Sequence, residues 1–261
     1  MTTRSALESA LVRDRWLVGG ALAVAVLLSW AWIVPMALDM YGSMSGPSAW
    51  MMAADRGLAH HALLFAMWLA MMVGMMVPSA APAILIYTAV VRRSDDGHDA
   101  AARAYVFAAG YLAVWAAFSL AATLVQSALT ALTLVSPMME ITRPVFGGAL
   151  LVAAGLYQLT PLKQSCLASC RSPAAFLTEH WRAGPSGAWR LGLAHGLYCV
   201  GCCWALMLLL FVGGVMSLLC IAAITVFVLA EKVAPLGVQG NRLSGAALIV
   251  AGGWMAASPL V

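Results

Sequence analysis

The feature that most constrains the fold of this chain is a series of long apolar runs that do not alternate with polar residues. Hydrophobic residues make up 63% of the 261 residues and charged residues only 9%, against about 25% charged in ordinary soluble domains. A water-soluble fold with so few charges could not cover its surface, so we expect lipid to be the solvent. Backbone amides in lipid need internal partners, and the runs lack the period-two pattern of barrel strands. The sequence therefore predicts transmembrane α-helices.

Seven runs reach or approach the length of about 20 residues that a helix needs to cross the hydrocarbon core. They cover residues 16–38, 61–91, 105–135, 144–161, 191–212, 215–230 and 243 to the C-terminus. Gly213 and Gly214 predict a tight turn between the fifth run and the sixth. We therefore expect an all-α, polytopic membrane helical bundle with about seven transmembrane helices, forming a single integral membrane domain over residues 1–261.

Positive charge supports this count and gives the bundle an orientation. Cytoplasmic loops collect Lys and Arg. With the N-terminus inside, twelve of the 14 lysines and arginines fall in inner segments, and only Arg56 and Arg143 lie outside. The N-terminus is therefore predicted inside and the C-terminus outside. The net charge of +4 is a topology signal and does not indicate nucleic-acid binding. The first run lacks a cleavage pattern, and we expect a multi-pass protein of the bacterial cytoplasmic (inner) membrane.

The strongest candidate site lies in the fifth run, where a histidine precedes three closely spaced cysteines. His195, Cys199 and Cys202 are spaced i, i+4 and i+7, which places them on one helix face, and Cys203 lies beside them. Counted from Arg190 at 1.5 Å per residue, the thiols lie about 15–20 Å along the helix, near the bilayer midplane. A buried cysteine is often only a small apolar residue. Ionisable groups inside a membrane are usually functional, however, and thiolates select soft ions such as Cu(I).

Methionines on the second run supply another set of soft donors. Met71, Met72, Met75 and Met76 form a doubled i, i+4 pattern. Thioethers bind Cu(I) and cannot be lost to disulfide formation in an oxidising compartment. The alternative is packing, because methionine fills irregular gaps well. For one methionine packing is the commoner explanation, but the doubled pattern favours ligands along an approach from the outside.

A second pair of thiols follows the fourth run. Cys166 and Cys170 are spaced i, i+4, between Lys163 and Arg171. Nearby cations favour the thiolate, so this segment is predicted to be a second metal-binding pair or a redox pair, with a structural role equally open. At the end of the sixth run, the adjacent Glu231-Lys232 is predicted to be a solvated ion pair.

Several blocks of the chain resemble a bacterial family of predicted metal-binding integral membrane proteins. This is a domain-of-unknown-function family that also carries the label copper chaperone. The blocks are MWLAMMVGMMVPSAAP (67–82), GYLAVW (110–115), GLYQLTPLKQSCLASCRSP (155–173) and HGLYCVGCCWALM (195–207), followed by Glu231 and Lys232. They span most of the chain. The resemblance implies a role in supplying copper to a tyrosinase-like or other copper oxidase, and it supplies no mechanism.

The preferred function is a non-enzymatic one. The protein would bind Cu(I) in the membrane and deliver it to a cuproenzyme or across the bilayer. Cys199, Cys202, Cys203 and His195 would be the core ligands. The partners would be the lipid bilayer and a copper-dependent oxidase or other cuproprotein. The sequence leaves chaperone versus transporter, the direction of transport and the oligomeric state open.

Two other functions compete with copper delivery. The first is a membrane thiol-disulfide oxidoreductase that uses Cys199 with Cys202 and Cys166 with Cys170, since closely spaced thiols suit exchange chemistry. It leaves the methionines unexplained and places one pair on the reducing cytoplasmic side. The second is a structural membrane subunit in which the sulfur atoms only pack.

Overall fold

The fold is all-helical, as the apolar runs predict. The structure is a computed structural model that describes residues 2–42, 49, 57–93, 99–136, 139–234 and 237–258. Its helices are α1 (Thr2–Met40), α2 (Leu58–Arg93), α3 (Ala100–Ala131), α4 (Pro144–Gln158), α5 (Pro161–Arg171), α6 (Pro173–His180), α7 (Gly184–Leu208), α8 (Leu210–Gly213), α9 (Leu218–Val233) and α10 (Gly237–Ala257). In the described residues the β-structure is one isolated bridge between Val135 and Ile141.

Length and composition single out four segments of the described chain that could cross a membrane. They are Glu8–Met40, Leu58–Arg93, Ala100–Ala131 and Gly184–Gly213. The bent pair α4 and α5 is a fifth candidate. Helix α4 has 15 residues and α9 has 16, fewer than a straight crossing needs. Helix α10 is long enough, but it begins with polar residues and does not reach the same apolar character. The structure thus supports four or five spans. Seven spans and the orientation of the termini stay predictions.

The interior of the bundle is built around α2 and α7. Four methionines of α2, Met71, Met72, Met75 and Met76, are buried there. Helix α1 packs against α2, with Asp14 and Arg92 joined as an ion pair between them. The opposite face of α1 exposes Trp16 and Leu27. Such a face suits contact with lipid and not with water.

Helices α3 and α7 cross at very short range because glycines lie at the crossing. A Cβ atom on Gly192 would lie 2.1 Å from the Phe107 carbonyl oxygen, and one on Gly110 would lie 2.5 Å from the Trp189 carbonyl oxygen. Neither position has room for a side chain, and small residues are what allow membrane helices to approach this closely. This crossing brings Tyr111 of α3 against the cysteines of α7.

Glycines also allow helix α10 to pack closely against α4. A Cβ atom on Gly148 would lie 2.5 Å from the Gly252 carbonyl oxygen, and one on Gly252 would lie 2.6 Å from the Gly148 carbonyl oxygen. The last helix is therefore part of the bundle.

The tight turn expected after the fifth run is confirmed. Helix α8 ends at Gly213, and Gly214 has a φ angle of +89°, a left-handed conformation that favours glycine. The Ser217 hydroxyl then accepts a hydrogen bond from the Cys220 backbone amide at 3.4 Å and caps the start of α9.

Candidate metal site

The three cysteines of α7 point into the bundle, as their helical spacing predicts. Cys199, Cys202 and Cys203 are each 2% exposed or less. The thiols of Cys202 and Cys203 both donate to the Cys199 carbonyl oxygen, at 3.1 and 2.9 Å. All six cysteines of the chain are free thiols, so none of these sulfur atoms is consumed in a disulfide.

A bend between α4 and α5 brings a fourth thiol to this place. Thr160 caps α5 by accepting a hydrogen bond from the Lys163 amide at 3.3 Å, and Pro161 occupies its first turn, a combination typical of a helix start. The new helix runs at 65° to α4. Its Cys170 is buried, with its sulfur 4.0 Å from the sulfur of Cys202.

The predicted Cys166–Cys170 pair is divided between two environments. Cys166 is partly exposed and packs against α7 at Gly201, where a Cβ atom would lie 2.7 Å from its sulfur. Cys170, one turn later, lies among the buried thiols of α7. The two cysteines therefore lie at different depths, with Cys166 at the border of the site and Cys170 within it.

One methionine of α2 joins the thiols. The Met76 sulfur lies 3.8 Å from the sulfur of Cys203. Met71, Met72 and Met75 are also buried on this helix. Among the described residues, Met76 is the one of these four methionines whose sulfur contacts a cysteine thiol. We call Cys170, Cys199, Cys202, Cys203 and Met76 the sulfur cluster.

A lysine lies against the sulfur cluster. The Lys232 ammonium is 3.0 Å from the Cys199 sulfur and 2.8 Å from the Ser79 hydroxyl oxygen. The Tyr111 hydroxyl is 3.1 Å from the same sulfur and donates to the Met76 carbonyl at 3.1 Å. A cation beside a thiol stabilises the thiolate, which is the form that binds metals.

The prediction of a solvated Glu231–Lys232 pair is wrong. Glu231 and Lys232 are both buried, and neighbouring positions on a helix do not face each other. Glu231 instead accepts two hydrogen bonds from the Lys163 ammonium, at 2.9 and 2.8 Å. Arg171 donates to the Glu231 carbonyl oxygen at 2.6 Å. The expectation that Lys163 and Arg171 act on Cys166 and Cys170 is corrected by the same contacts, because both cations are directed at Glu231.

His195 is buried, but its ring lies among aromatic side chains. The centroids of the Phe176, Tyr111 and Phe107 rings are 5.2, 5.7 and 6.0 Å from that of His195. Its Nδ1 atom is buried and has no hydrogen-bond partner among the residues that the structure describes. His195 precedes Cys199 by one helical turn, so it borders the sulfur cluster from the side of the α7 N-terminus.

The donor set is made of pairs. In the part of the chain that the structure describes, no three His, Cys, Asp or Glu side chains converge closely enough to hold a metal ion. Sulfur atoms meet two at a time, as Cys202 with Cys170 and as Cys203 with Met76. Two sulfur atoms that share a metal at bonds of about 2.3 Å are at most about 4.6 Å apart. Both pairs meet that limit.

Sequence reasoning missed Lys232 and Tyr111 as neighbours of the thiols. The signal for Lys232 was weak, because a lysine in the last turn of an apolar helix usually reaches the membrane surface. Tyr111 gave no comparable signal, because its role depends on how α3 crosses α7.

Comparison with known proteins identifies the family. A search of curated proteins and a search of solved structures each gave no significant match. Residues 65–255, which include the whole sulfur cluster and Lys232, match the family PpoB2, described as copper chaperone. This description points to a non-enzymatic role and, in general terms, to a copper protein as partner. The chain belongs to the PpoB2 copper chaperone family.

Proposed function

We propose that this protein binds Cu(I) inside the membrane at the sulfur cluster and delivers it to a cuproenzyme or across the bilayer. The observation that carries the proposal is the presence of two buried sulfur pairs between α2, α5 and α7, Cys202 with Cys170 and Cys203 with Met76. Membership of a copper chaperone family supports copper as the cargo.

The chemistry of the donors fits Cu(I) better than harder ions. Thiolates and thioethers select Cu(I), whereas Mg²⁺ and Ca²⁺ need oxygen ligands. The spacing of the two sulfur pairs suits a metal bound by few ligands, as the separations of 4.0 and 3.8 Å allow. The main ligands in this proposal are Cys202 with Cys170 and Cys203 with Met76.

Cys199 and Lys232 set the charge of the site. Two thiolates and one Cu(I) carry a net charge of −1, which is expensive to bury without a counter-ion. The Lys232 ammonium in contact with Cys199 supplies that positive charge. Cys199 would act as a third thiolate ligand or as the group through which Lys232 acts on the metal.

The remaining predicted ligands lie around the sulfur cluster and would guide copper towards it. Met71, Met72 and Met75 extend from Met76 along α2 and would line an approach for copper. Cys166 and His195 border the sulfur cluster, on α5 and α7 respectively, and would hold copper in transit.

The topology that accompanies this function has seven spans. In this proposal α4, α9 and α10 also cross the membrane, with the N-terminus inside and the C-terminus outside. The charge distribution supports it, since most lysines and arginines then lie in inner segments. The segment that joins α6 to α7 would face the cytoplasm.

The test is a Cu(I) titration of anaerobically purified protein against a competing chelator. We expect the wild type to bind copper tightly and in stoichiometric amount, and Cys199→Ser/Cys202→Ser/Cys203→Ser to lose it. Cys220→Ser is the matched control, because Cys220 is a partly buried thiol that lies outside the sulfur cluster. A wild type that ignores added Cu(I), or a triple variant that binds it equally well, would contradict the proposal.

One observation favours a second function. The Cys170 and Cys202 sulfur atoms are 4.0 Å apart, so a small side-chain movement would allow a disulfide of about 2.05 Å. A thiol-disulfide oxidoreductase built on this chain would therefore use Cys170 with Cys202 in place of the pairs expected from sequence. Mass spectrometry after treatment with a quinone tests this. A reversible Cys170–Cys202 disulfide in copper-free protein favours the oxidoreductase, and its absence excludes that pair.

A further inference from the structure

A cavity opens at the junction of α6 and α7, towards the N-terminal end of α7 from the sulfur cluster. Its volume is about 470 Å³, within the usual range for small-molecule sites. It is lined by Glu179, His180, Trp181, Arg182, Arg190, Leu191 and Ala194. Leu191, Ala194 and His195 lie on one face of α7 at helical spacing, so the floor of the cavity backs onto His195.

His180, which lines this cavity, has a hydrogen bond that suits a metal ligand. Its Nδ1 atom lies 3.1 Å from the Phe176 carbonyl oxygen, to which it donates. In a neutral His180 ring this contact places the proton on Nδ1 and leaves the lone pair on Nε2. This is the arrangement found in most metal-binding histidines, in which the second ring nitrogen donates to a carbonyl or carboxylate.

Aromatic and imidazole rings connect the cavity with the sulfur cluster. The Phe176 ring stacks on His180 at 4.8 Å and lies 5.2 Å from His195, measured between ring centroids. Tyr198 lies 5.9 Å from both Phe176 and His180. His195 in turn precedes Cys199 by one turn, about 6 Å along α7. The Phe176 ring therefore lies between the His180 ring at the cavity and the His195 ring next to the sulfur cluster.

The charge of the cavity opposes a bare cation. Arg182 and Arg190 contribute two positive charges and Glu179 one negative charge. A free Cu(I) ion would be repelled, whereas a carboxylate-bearing copper complex would be attracted, since arginine pairs well with carboxylates. Glutathione, a thiol of the cytosol that bears two carboxylates, has the chemistry of such a carrier.

We propose that this cavity is the exchange site at which Cu(I) is transferred between an anionic, carboxylate-bearing thiol carrier and the sulfur cluster. Arg182 and Arg190 hold the carboxylates of the carrier, and His180 Nε2 takes the metal. The inference rests on the proposed function, because it requires copper to be the cargo.

The transfer is a ligand exchange without a change of oxidation state. The bond between copper and the carrier sulfur breaks as a bond between copper and His180 Nε2 forms. Displacement of Phe176 passes Cu(I) to His195 and then to a cysteine thiolate. The proton that leaves the receiving thiol is taken up by the departing carrier thiolate, so charge and atoms balance.

The experiment compares loading rates from two copper donors, with the protein in nanodiscs of zwitterionic lipid. One donor is the anionic Cu(I)–glutathione complex, and the other is the cationic Cu(I)–acetonitrile complex. Arg182→Gln/Arg190→Gln should slow loading from the anionic glutathione complex by about tenfold. The same variant should speed loading from the cationic acetonitrile complex, because the two removed charges repel it. His180→Ala should slow loading from both donors. The final copper content should stay at the wild-type value in every variant.

Two control variants match these changes. His61→Ala removes a histidine with the same Nδ1 contact to a backbone carbonyl, that of Gly57 at 3.1 Å. Tyr87, which contacts the cavity residue Trp181, is 26 residues further along α2, about 39 Å from His61. Arg143→Gln removes an exposed arginine at the start of α4. Both controls should load like the wild type.

The outcomes separate this inference from the proposed function. If Arg182→Gln/Arg190→Gln and His180→Ala both load at the wild-type rate, the exchange site is overturned. The proposed function would still stand if the wild type binds copper in stoichiometric amount. The loading rates are also measured in nanodiscs that contain anionic lipid. If Arg182→Gln/Arg190→Gln slows loading only there, the two arginines bind lipid headgroups, and the exchange site is overturned. A wild type that takes copper from neither donor removes the proposed function itself.

Discussion

The Lys232 ammonium lies 3.0 Å from the Cys199 sulfur, inside a bundle of apolar helices. A lysine in such surroundings is costly unless a negative or strongly polar group accepts its hydrogen bonds. Ser79 and the Cys199 sulfur fill that role, and Tyr111 approaches the same sulfur with its hydroxyl. The contact links α9 to α7 and gives the sulfur cluster a fixed positive charge.

Removal of this charge should weaken copper binding. For Lys232→Met we expect the Cu(I) affinity to fall about 10- to 100-fold, because a hydrogen bond to a charged group contributes about 1.5–3 kcal/mol. Lys232→Arg, which keeps the charge, should recover part of the loss. Competitive titration with a Cu(I) chelator measures both variants. Equal affinities for Lys232→Met and wild type would show that Lys232 does not balance the charge of the metal site.

The Lys163–Glu231 pair should matter for stability. Lys163 is 0% exposed, and both of its hydrogen bonds to Glu231 lie within the bundle. Lys163→Ala leaves the carboxylate buried without its partner, which typically costs about 3–5 kcal/mol. We expect a clear fall in the denaturation midpoint in detergent. Lys163→Met/Glu231→Gln, which removes both charges, should be closer to wild type, and a double variant as unstable as Lys163→Ala would argue against the pair.

The crossing of α3 and α7 should not tolerate a methyl group. In Gly192→Ala the new Cβ would lie 2.1 Å from the Phe107 carbonyl oxygen, so the helices must separate. Overpacking of this kind costs about 1–3 kcal/mol, and it would move Tyr111 away from Cys199. Gly253→Ala is the matched control, because a Cβ there meets no atom of the described residues within 4 Å. Thermal denaturation in detergent should separate the two variants, and equal midpoints would contradict the close crossing.

The proposed topology predicts opposite locations for two fusion points. A fluorescent protein and an alkaline phosphatase are each fused after Arg182 and after Ser258. After Arg182 we expect fluorescence without phosphatase activity, which reports a cytoplasmic site. After Ser258 we expect phosphatase activity without fluorescence. The same location at both points would mean an even number of crossings between them and would exclude the seven-span topology.

Patterns along single helices were readable from the sequence. The i, i+4, i+7 spacing of His195, Cys199 and Cys202 placed them on one face, and that face is buried. The doubled methionines of α2 are likewise buried, and the turn at Gly213 and Gly214 is where the glycines predicted it. These features depend on helical periodicity alone, which is local.

Contacts between helices were not readable. The Cys170–Cys202 approach depends on a 65° bend between α4 and α5, and the Tyr111–Cys199 contact depends on the glycine crossing of α3 and α7. Glu231 was assigned to its neighbour in sequence, but a helix turns adjacent residues by about 100° and sends them to different partners. The partners of Glu231 and Lys232 were therefore set by tertiary packing.

X-ray absorption spectroscopy at the copper edge of the Cu(I)-loaded wild type tests most directly whether the sulfur cluster holds the metal. We expect a Cu(I) edge and a first coordination shell of sulfur at about 2.3 Å, a length taken from zinc–thiolate bonds. Both should be absent from Cys199→Ser/Cys202→Ser/Cys203→Ser. A first shell of nitrogen and oxygen alone, or an unchanged spectrum in the triple variant, would show that the sulfur cluster does not hold the metal.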